Sequence, residues 1–449
     1  MPTFPPVSEE FLARYDVPAP RYTSYPTAPA WTPSVGPAEF AAALDRAAQR
    51  PDAPLSLYVH IPFCSERCGF CACNVVITRS RAKADRYLGI LAREMDAVAE
   101  RLGQRNTVSQ IHWGGGTPTF LDEKQIEALW TAITRRFRVA PHAEVAIEID
   151  PVVTTRSQIE LLRKLGFNRI SLGVQDLDPV VQKAIDRVQS VEETRAALDH
   201  ARALGFSGIN FDLIYGLPFQ TKESWARTLA QVLEMRPDRL AVYSFANVPD
   251  VRPNQRRLAQ ANIPHGADKL ALFRMAWEAF VNAGYRQIGM DHFAAPGDEL
   301  ALAQERRALG RNFQGYTVQT ANEVIAFGTS AISDIGGVYA QNSHSLPQYE
   351  DAIVEGRLAA DRGIRLTEDD VLRRGLISQL MCNFFVDLRE VPGFDSELAR
   401  LAGLEREGLL TLNGRVAELT PLGRIFVRNV ATVFDAYLAT QAPRFSKAV

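Results

Sequence analysis

The stretch LSLYVHIPFCSERCGFCACN, residues 55–74, joins a short apolar run with β-branched residues to a loop that holds four of the five cysteines of the chain. The run predicts a buried strand, because it is short and apolar. The four cysteines at 64, 68, 71 and 73 fall within ten residues. In a chain without a secretory signal, such clustering is typical of metal ligands rather than disulfides. The stretch therefore predicts a strand that leads into a metal-binding loop.

Five further runs of the same kind follow along the chain, with helical patterns between most of them. They are SQIHWGGG (109–116), EVAIEIDP (144–151), FNRISLGVQ (167–175), SGINFDLIYGLP (207–218) and DRLAVYSFA (238–246). Strands that are separated by helices, with little alternation inside each strand, indicate a parallel sheet buried on both faces. About six such units predict an α/β fold with a complete or partial (β/α) TIM-like barrel. A doubly wound sheet has the same periodicity and stays open as an alternative at this point.

The remaining segments predict three domains. Residues 1–50 are rich in proline and aromatic residues and show neither helical nor strand periodicity, so we expect an extended N-terminal arm that packs on the main body. Residues 51–345 form the predicted catalytic barrel. Residues 346–449 predict a mostly helical C-terminal domain with a winged-helix-like unit, because a capped amphipathic helix (365–385) precedes a hairpin with Asn-Gly at its turn. Cys382 lies in that helix, and we interpret it as a buried core thiol.

Composition excludes several classes of function. The 449 residues carry a formal net charge of -2, with 46% hydrophobic and 23% charged residues, which is typical of a globular protein. The chain has no surplus of basic residues, so its composition does not indicate binding of nucleic acid. No apolar run is long enough for a membrane span, and the N-terminus does not resemble a signal peptide. We therefore expect a cytoplasmic protein.

The spacing of Cys64, Cys68 and Cys71 suits a [4Fe–4S] cluster in which each thiolate binds one iron and the fourth iron has no protein ligand. The amino and carboxylate groups of S-adenosylmethionine can fill that position, and an electron can then cleave the molecule to a 5'-deoxyadenosyl radical. Cys73 is a fourth ligand by count, although its closeness to Cys71 makes a separate corner of the cubane hard to reach. A structural zinc site is the other alternative, but zinc sites usually use two separated pairs.

Polar residues collect where the predicted strands end. The glycine-rich turn HWGGGTP (112–118) suits close approach of a ligand to the backbone, although a tight turn also needs glycine. Glu148 and Asp212 end two other strands and can bind an amine or a ribose hydroxyl, with a buried salt bridge as the alternative for each. Arg187 can pair with a carboxylate, although a surface role is equally compatible with its context.

These motifs together resemble one family closely. The segments YVHIPFCSERCGFCACN, IHWGGGTPTFL, EIDP, NRISLGVQD, INFDLIYGLPFQT, GMDHFA, RNFQGYT and SAIS are similar to those of the oxygen-independent coproporphyrinogen III oxidases, radical S-adenosylmethionine enzymes of haem biosynthesis. The resemblance also includes PRYTSYPTAP in the arm, and RRGLISQLMCNF and GRIFVRNV near the C-terminus, so it covers nearly the whole chain.

The resemblance implies a site, residue by residue. It implies that Cys64, Cys68 and Cys71 bind the cluster and that Cys73 does not. It implies two molecules of S-adenosylmethionine. The positions implied for the first, cluster-bound molecule are Tyr58, Gly115, Glu148 and Ile332. The positions implied for the second are Phe70, Gly116, Thr117, Gln175, Arg187, Asp212 and Ala246.

The resemblance also implies the reaction, in which two propionates of coproporphyrinogen III are oxidatively decarboxylated to vinyls, giving protoporphyrinogen IX. The implied partners are an external electron donor and an external acceptor, and we expect a monomer. We further expect the arm to fold over the strand ends and to bind a substrate carboxylate through Arg21. Asn247 departs from the family, which typically has histidine there, and this admits a divergent paralogue such as a haem-cleaving relative. A haem-trafficking relative is the other alternative, but Cys73 and the segment PRYTSYPT of the arm argue against it.

Overall fold

The computed structural model describes residues 3–258, 262–318, 323–440 and 445–447. Its strands are β1 (Leu55–Ile61), β2 (Phe63–Cys64), β3 (Val76–Ile77), β4 (Thr107–Gly115), β5 (Arg138–Ile149), β6 (Arg169–Gln175), β7 (Gly208–Tyr215), β8 (Arg239–Ser244), β9 (Arg286–Ile288), β10 (His292–Ala294), β11 (Gly310–Asn312), β12 (Gly315–Thr317), β13 (Val324–Phe327), β14 (Ile332–Ile335), β15 (Val338–Asn342), β16 (Ala360–Arg365), β17 (Phe385–Asp387), β18 (Leu410–Asn413) and β19 (Val416–Leu419).

The α-helices lie between and after these strands. They are α1 (Glu9–Tyr15), α2 (Pro37–Ala48), α3 (Arg81–Leu102), α4 (Glu123–Thr134), α5 (Arg156–Leu165), α6 (Pro179–Ala184), α7 (Val191–Ala203), α8 (Lys222–Met235), α9 (Gly266–Asn282), α10 (Glu299–Glu305), α11 (Leu346–Val354), α12 (Glu368–Asn383), α13 (Asp395–Arg406), α14 (Pro421–Ile425) and α15 (Val427–Ala431). None of the helices in the described residues is long and apolar enough to cross a membrane.

The main sheet is a partial barrel. Its strand order is β16-β15-β14-β13-β1-β4-β5-β6-β7-β8-β10-β9, and β1, β4, β5, β6, β7 and β8 pair in parallel. These six strands are the six that the sequence predicts. Because they follow one another in chain order without reversal, the connecting helices all lie on one face, which excludes the doubly wound alternative. The two outermost strands are not paired with each other, so the barrel stays open.

Capping motifs start the helices that connect the parallel strands. In α4, α5, α7 and α8, the N-cap side chain accepts a hydrogen bond from the backbone N–H of the third helical residue, and the N-cap backbone N–H donates to the side chain of that residue. The same arrangement starts α12, where Thr367 and Asp370 form the motif that the sequence predicts. Each such cap satisfies two backbone donors that would otherwise lack partners at the start of a helix.

The N-terminal arm differs from the expectation. It contains α1 and α2 rather than an extended chain, so the prediction of no regular structure is wrong for both segments. The proline-rich segment between them dominates the composition of the arm and hides the helical pattern of PAEFAAALDRAA. The expected packing of the arm is confirmed, because Tyr25 and Trp31 are buried.

The C-terminal segment packs on the same core as the barrel. Its small antiparallel sheet has the order β17-β19-β18, and the hairpin between β18 and β19 turns at Asn413-Gly414, as the sequence predicts. Cys382 is fully buried, which confirms its interpretation as a core thiol. Strand β16 still belongs to the main sheet, so that sheet extends beyond the domain boundary predicted at residue 345.

Candidate active site

The cysteine loop begins at the end of β1, at the carboxyl ends of the parallel strands. Strand β2 starts the loop and pairs with β3 at its other end. Cys64, Cys68 and Cys71 are half-buried, whereas Cys73 is exposed. A hydrogen bond from the Cys73 thiol lowers the pKa of Cys71 to about 6, and burial raises the pKa of Cys64 to about 11. The thiols of Cys71 and Cys73 therefore pair with each other on one side of the loop.

The chemistry of the loop fits an iron–sulfur cluster. Cys64, Cys68 and Cys71 are half-buried thiols on one loop, and the guanidinium of Arg187 lies 3.7 Å from Cys68 Sγ, where it can stabilise a thiolate. Each ligand of a cubane binds a different iron, so three thiolates of one loop suit a [4Fe–4S] cluster.

Two neighbouring side chains hold the cysteine loop from the other side of the barrel. Asn254 Nδ2 donates to the carbonyl oxygens of Gly69 (3.1 Å) and Cys71 (2.9 Å), and at 3.4 Å to that of Cys68. Gln255 Nε2 donates to the carbonyl oxygen of Phe70 at 2.8 Å, and Gln255 is fully buried. These four contacts fix four consecutive peptide groups between the predicted ligands. The sequence analysis missed both residues, because no local signal connects them to a loop about 185 positions earlier.

We expect Gln255→Ala to leave the fold intact and to weaken retention of the cluster. The variant removes the bond to Phe70 and leaves the buried carbonyl of a ligand-bearing loop without its donor, at a cost of about 1–3 kcal/mol. Iron and sulfide retained per chain after brief exposure to a chelator measure the effect. Gln49→Ala, which removes an exposed glutamine on the arm, is the control. Equal retention in Gln255→Ala and in the unmodified chain would contradict a positioning role.

The side chain of Arg187 is only 12% exposed and contacts the cysteine loop, so the surface role that the sequence left open is excluded. Its Nη1 lies 2.9 Å from Asp150 Oδ2 and 3.7 Å from Cys68 Sγ, and its Nη2 donates to Gly173 O at 2.7 Å. Burial opposes its charge, but Asp150 and the nearby thiol of Cys68 still raise its pKa. The buried Nε has no partner among the described residues. The guanidinium therefore connects the loop to β6 and keeps one donor for a further acceptor.

The glycine-rich turn packs tightly against β1 and its loop. A Cβ on Gly115, which has a φ of 117°, would lie 2.6 Å from the ring of His60. A Cβ on Gly116 would lie 2.7 Å from the carbonyl oxygen of Phe63. The Gly116 amide donates to the carbonyl oxygen of Ile61 in β1 at 2.8 Å, and the Thr117 amide donates to that of Phe63 in β2 at 2.9 Å. The turn thus needs glycine for packing against protein, and these two amides are already occupied.

Glu148 points into the barrel from the end of β5. It accepts hydrogen bonds from His112 Nε2 (3.1 Å) and from the Gly115 amide (3.2 Å), and it has no Lys or Arg partner within the described residues. Burial opposes its ionisation, yet the bonds from His112 and Gly115 lower its pKa. The ring of Tyr58 stacks on His112 at 5.9 Å. Glu148 is therefore an ionised acceptor beside the cysteine loop.

Asp212 lies in the middle of β7, with three strand residues after it, so the prediction that it ends its strand is wrong. The apolar run alone did not show how far the strand continues. Asp212 accepts from Ser171 Oγ at 3.1 Å and Asn210 Nδ2 at 2.9 Å rather than from a cation. Burial raises its pKa to about 7, and the negative charge of Glu148 adds to the effect. Glu148 and Asp212 line one cavity of about 130 Å³ inside the barrel. The alternative of a buried salt bridge is excluded for Asp212 among the described residues, and the two carboxyls differ in charge near neutral pH.

The remaining predicted positions lie on other strands and loops. Gln175 ends β6 with a φ of 65°, and Ile332 starts β14. Phe70 packs on a small apolar cluster that includes Phe245, the neighbour of the half-buried Ala246. Asn247, the departure from the family pattern, is exposed in the following loop.

A buried carboxyl supports the segment that leads to Ile332. Glu94 on α3 accepts from the Gly328 amide at 2.8 Å, from Asn342 Nδ2 at 2.6 Å and from Tyr349 Oη at 2.6 Å. Burial raises its pKa to about 7 despite these three donors. The network ties α3 and α11 to the turn between β13 and β14, and so fixes the start of β14.

Arg21 of the arm reaches the open side of the barrel. It forms an ion pair with Asp291, and its guanidinium lies 5.6 Å from the ring centre of Tyr243, which lines the cavity. The structure thus brings the predicted arm residue next to the cavity, although it is already paired. Asp291 and His292 belong to the quoted GMDHFA motif, but the sequence analysis assigned them no role.

Comparisons with known proteins identify the class first. Residues 58–232 match the model of the Radical SAM superfamily. The chain is therefore a radical S-adenosylmethionine enzyme, in which a [4Fe–4S] cluster and S-adenosylmethionine are the cofactors.

The particular family follows from longer matches. The chain is 44% identical to oxygen-independent coproporphyrinogen III oxidase of Pseudomonas aeruginosa over 98% of both chains. It is 43% identical to the protein of the same name from Escherichia coli, over 98% of this chain and 97% of the other. A solved structure of coproporphyrinogen III oxidase from Escherichia coli superposes with a TM-score of 0.89, at 44% identity, over 93% of this chain and 97% of the other. The chain belongs to the family of oxygen-independent coproporphyrinogen III oxidases.

Proposed function

We propose that the chain converts coproporphyrinogen III to protoporphyrinogen IX without oxygen, in haem biosynthesis. The observation that carries the proposal is the cysteine loop, which begins at the carboxyl end of β1, with the ionised Glu148 near the carboxyl end of β5. Glu148 and Asp212, two of the residues predicted for S-adenosylmethionine, line one cavity inside the barrel, which supports the proposal. The nearly full-length similarity to named oxidases supports the substrate.

Cys64, Cys68 and Cys71 hold the cluster in this proposal. When bound, the cluster and S-adenosylmethionine supply the radical that removes a hydrogen atom from the β-carbon of a propionate. Loss of carbon dioxide then leaves a vinyl group, and one electron passes to an external acceptor. The same change at a second propionate completes the reaction. Arg187 stabilises thiolate charge at Cys68, and the contacts of Asn254 and Gln255 keep the loop in place.

The first S-adenosylmethionine is proposed to contact Tyr58, Gly115, Glu148 and Ile332. Glu148 is suited to the positively charged amino group, because its charge is maintained and no Lys or Arg among the described residues neutralises it. His112 orients the carboxylate from behind. The carbonyl of Gly115 and the half-buried side chain of Ile332 provide neighbouring polar and apolar surface.

The second molecule is proposed to contact Phe70, Gly116, Thr117, Gln175, Arg187, Asp212 and Ala246. Arg187 can donate to a carboxylate, and Asp212 can exchange hydrogen bonds with a ribose hydroxyl in either of its protonation states. Because the Gly116 and Thr117 amides are occupied, these two residues would contribute the Gly116 carbonyl and the Thr117 hydroxyl.

The finer points of the proposal concern the cellular setting. We propose a monomer in the cytoplasm that takes electrons from an external donor and does not bind nucleic acid. The formal net charge of -2 supports the last point, since binding to a phosphate backbone depends on a basic surplus.

Anaerobic incubation of the reconstituted protein with coproporphyrinogen III, S-adenosylmethionine and a reductant tests the proposal. We expect mass analysis to show sequential loss of two carboxyl groups from the tetrapyrrole, together with formation of 5'-deoxyadenosine and methionine. Cys64→Ala protein is the negative control. Cleavage of S-adenosylmethionine without any change in the tetrapyrrole would contradict the proposal, and transfer of intact haem would favour the trafficking alternative.

A further inference from the structure

The open side of the barrel carries a surplus of positive charge on buried and half-buried side chains. The carboxylate of Asp291, which is nearly buried, pairs with Arg21 through Oδ2 and accepts from His292 Nδ1 at 2.7 Å through Oδ1. Arg311 and Arg428 lie close enough to interact with the same carboxylate. Three guanidinium groups therefore act electrostatically on one carboxylate, although only Arg21 forms an ion pair with it in the described chain. Holding like charges close together is costly unless an anion joins them.

The pKa values agree with this surplus. Burial opposes ionisation of Asp291, but Arg21, His292 and Arg311 hold its pKa well below the ordinary value. Burial, with Arg21 next in importance, lowers the pKa of Arg428 to about 9. Arg428 bonds backbone carbonyls of the arm, which explains its position structurally. Arg21, Arg311 and His292 are the members of the group that retain donors.

Of these three residues, His292 lines the cavity, and the guanidinium of Arg21 lies over the ring of Tyr243, which also lines it. Arg311 lines a second, smaller cavity that shares Asn312 with the first. Of the three guanidinium nitrogens of Arg21, only Nη2 has a hydrogen-bond partner among the described residues. Arg311 Nη1 donates to the carbonyl oxygen of Arg21 at 2.5 Å. Arg311 Nε is buried without a partner within the described chain. His292 lines the cavity, and its Nε2 has no hydrogen bond to a described residue. A carboxylate is the ligand that accepts from imidazole and guanidinium donors together.

Aromatic rings frame this group. The His292 ring packs edge-on against Tyr243 at 5.7 Å and against Tyr316 at 5.0 Å, and the guanidinium of Arg311 lies 5.1 Å from the centre of the Tyr316 ring. Tyr243 and Tyr316 both line the cavity. Cationic donors next to aromatic faces suit a flat ring system that carries carboxylate side chains.

We infer that Arg21, Arg311 and His292, organised around Asp291, bind a propionate carboxylate of the tetrapyrrole that is not being decarboxylated. The inference rests on the proposed function and deepens it. Asp291 holds His292 with Nδ1 protonated and keeps Arg21 in place, so the arm contributes one donor and the barrel two. Binding one propionate here orients the macrocycle, so that another propionate can approach the cofactor end of the cavity.

His292→Asn tests the inference with little disturbance, because the amide can still donate to Asp291 while Nε2 is lost. The probe is coproporphyrin III, the stable oxidised tetrapyrrole, in a fluorescence titration of the full-length protein with its cluster. We expect its Kd to rise about tenfold, equivalent to roughly 1.4 kcal/mol. Arg311→Gln should have at least the same effect, whereas Arg311→Lys should recover part of the binding by retaining the charge.

Arg307→Gln is the matched control, because Arg307 lies four residues away and pairs with Glu418 at the surface. Binding of the tetramethyl ester, which has no carboxylates, should be equal in the unmodified and His292→Asn proteins. In turnover, the variants should raise KM for coproporphyrinogen while KM for S-adenosylmethionine stays unchanged.

The outcomes distinguish a failure of the carboxylate site from a failure of the proposed function. If the unmodified protein converts coproporphyrinogen and His292→Asn and Arg311→Gln bind coproporphyrin as tightly, the inference is wrong and the proposed function stands. An equal loss of ester binding in the variants would also overturn it, since the carboxylate would not be the group recognised. If the unmodified protein neither binds coproporphyrin nor converts coproporphyrinogen, the proposed function itself fails.

Discussion

Replacing Cys64, Cys68 or Cys71 by alanine is expected to abolish the cluster and to reduce cleavage of S-adenosylmethionine to background. Each thiolate is expected to bind one iron of the cubane, so no other ligand compensates for its loss. Iron and sulfide per chain, the visible absorbance of the reconstituted protein and the yield of 5'-deoxyadenosine measure the effect.

Cys73→Ala is the informative partner variant. Cys73 is exposed and bonds Cys71, so its loss should change the environment of that ligand while the cluster still assembles. Cys382→Ala removes a buried thiol outside the loop and serves as the control for loss of a cysteine elsewhere. An equal fall in iron content for all four loop variants would make Cys73 a ligand and would contradict the three-ligand site.

Arg187→Ala is expected to reduce bound S-adenosylmethionine from two molecules towards one. The variant removes a charge-assisted contact worth about 1.5–3 kcal/mol, which corresponds to weakening of roughly 10- to 150-fold at the second site. Equilibrium dialysis against labelled S-adenosylmethionine on the cluster-loaded protein measures the stoichiometry.

Arg187→Ala is also expected to lower the free energy of unfolding. Without Arg187, the half-buried Asp150 loses its ion-pair partner, and breaking a buried pair costs about 3–5 kcal/mol. Asp150→Asn breaks the same pair but retains the guanidinium, so it should show a comparable loss of stability with both molecules still bound. Arg227→Ala breaks an exposed ion pair and gives the baseline for a surface arginine. Unchanged stoichiometry and activity in Arg187→Ala would contradict the assignment of Arg187 to the second site.

The prediction of an extended arm is wrong because the composition of the arm obscures its local helical patterns. Its proline-rich middle suggested an extended chain, whereas α1 and α2 flank that middle in the structure. What holds the arm is long-range: Arg428 donates to the carbonyl of Pro20, 408 positions away, and Arg311 to that of Arg21, 290 positions away. No pattern within the arm could predict these partners, because they come from the other end of the chain.

The sequence by itself determined the six parallel strands, the cysteine loop and the place of Glu148 near the end of its strand, whereas Asp212 lies in the middle of β7. These features depend on neighbours within a few positions: apolar runs, capping pairs and the spacing of three thiols on one loop. The tertiary structure alone decided which polar groups contact each other. Arg187 contacts Cys68, 119 positions away, and Asn254 contacts Gly69, 185 positions away. Arg21 pairs with Asp291, 270 positions away. Such pairs form only after the strands have closed into the partial barrel, because burial then forces each polar group to find a partner in space rather than along the chain.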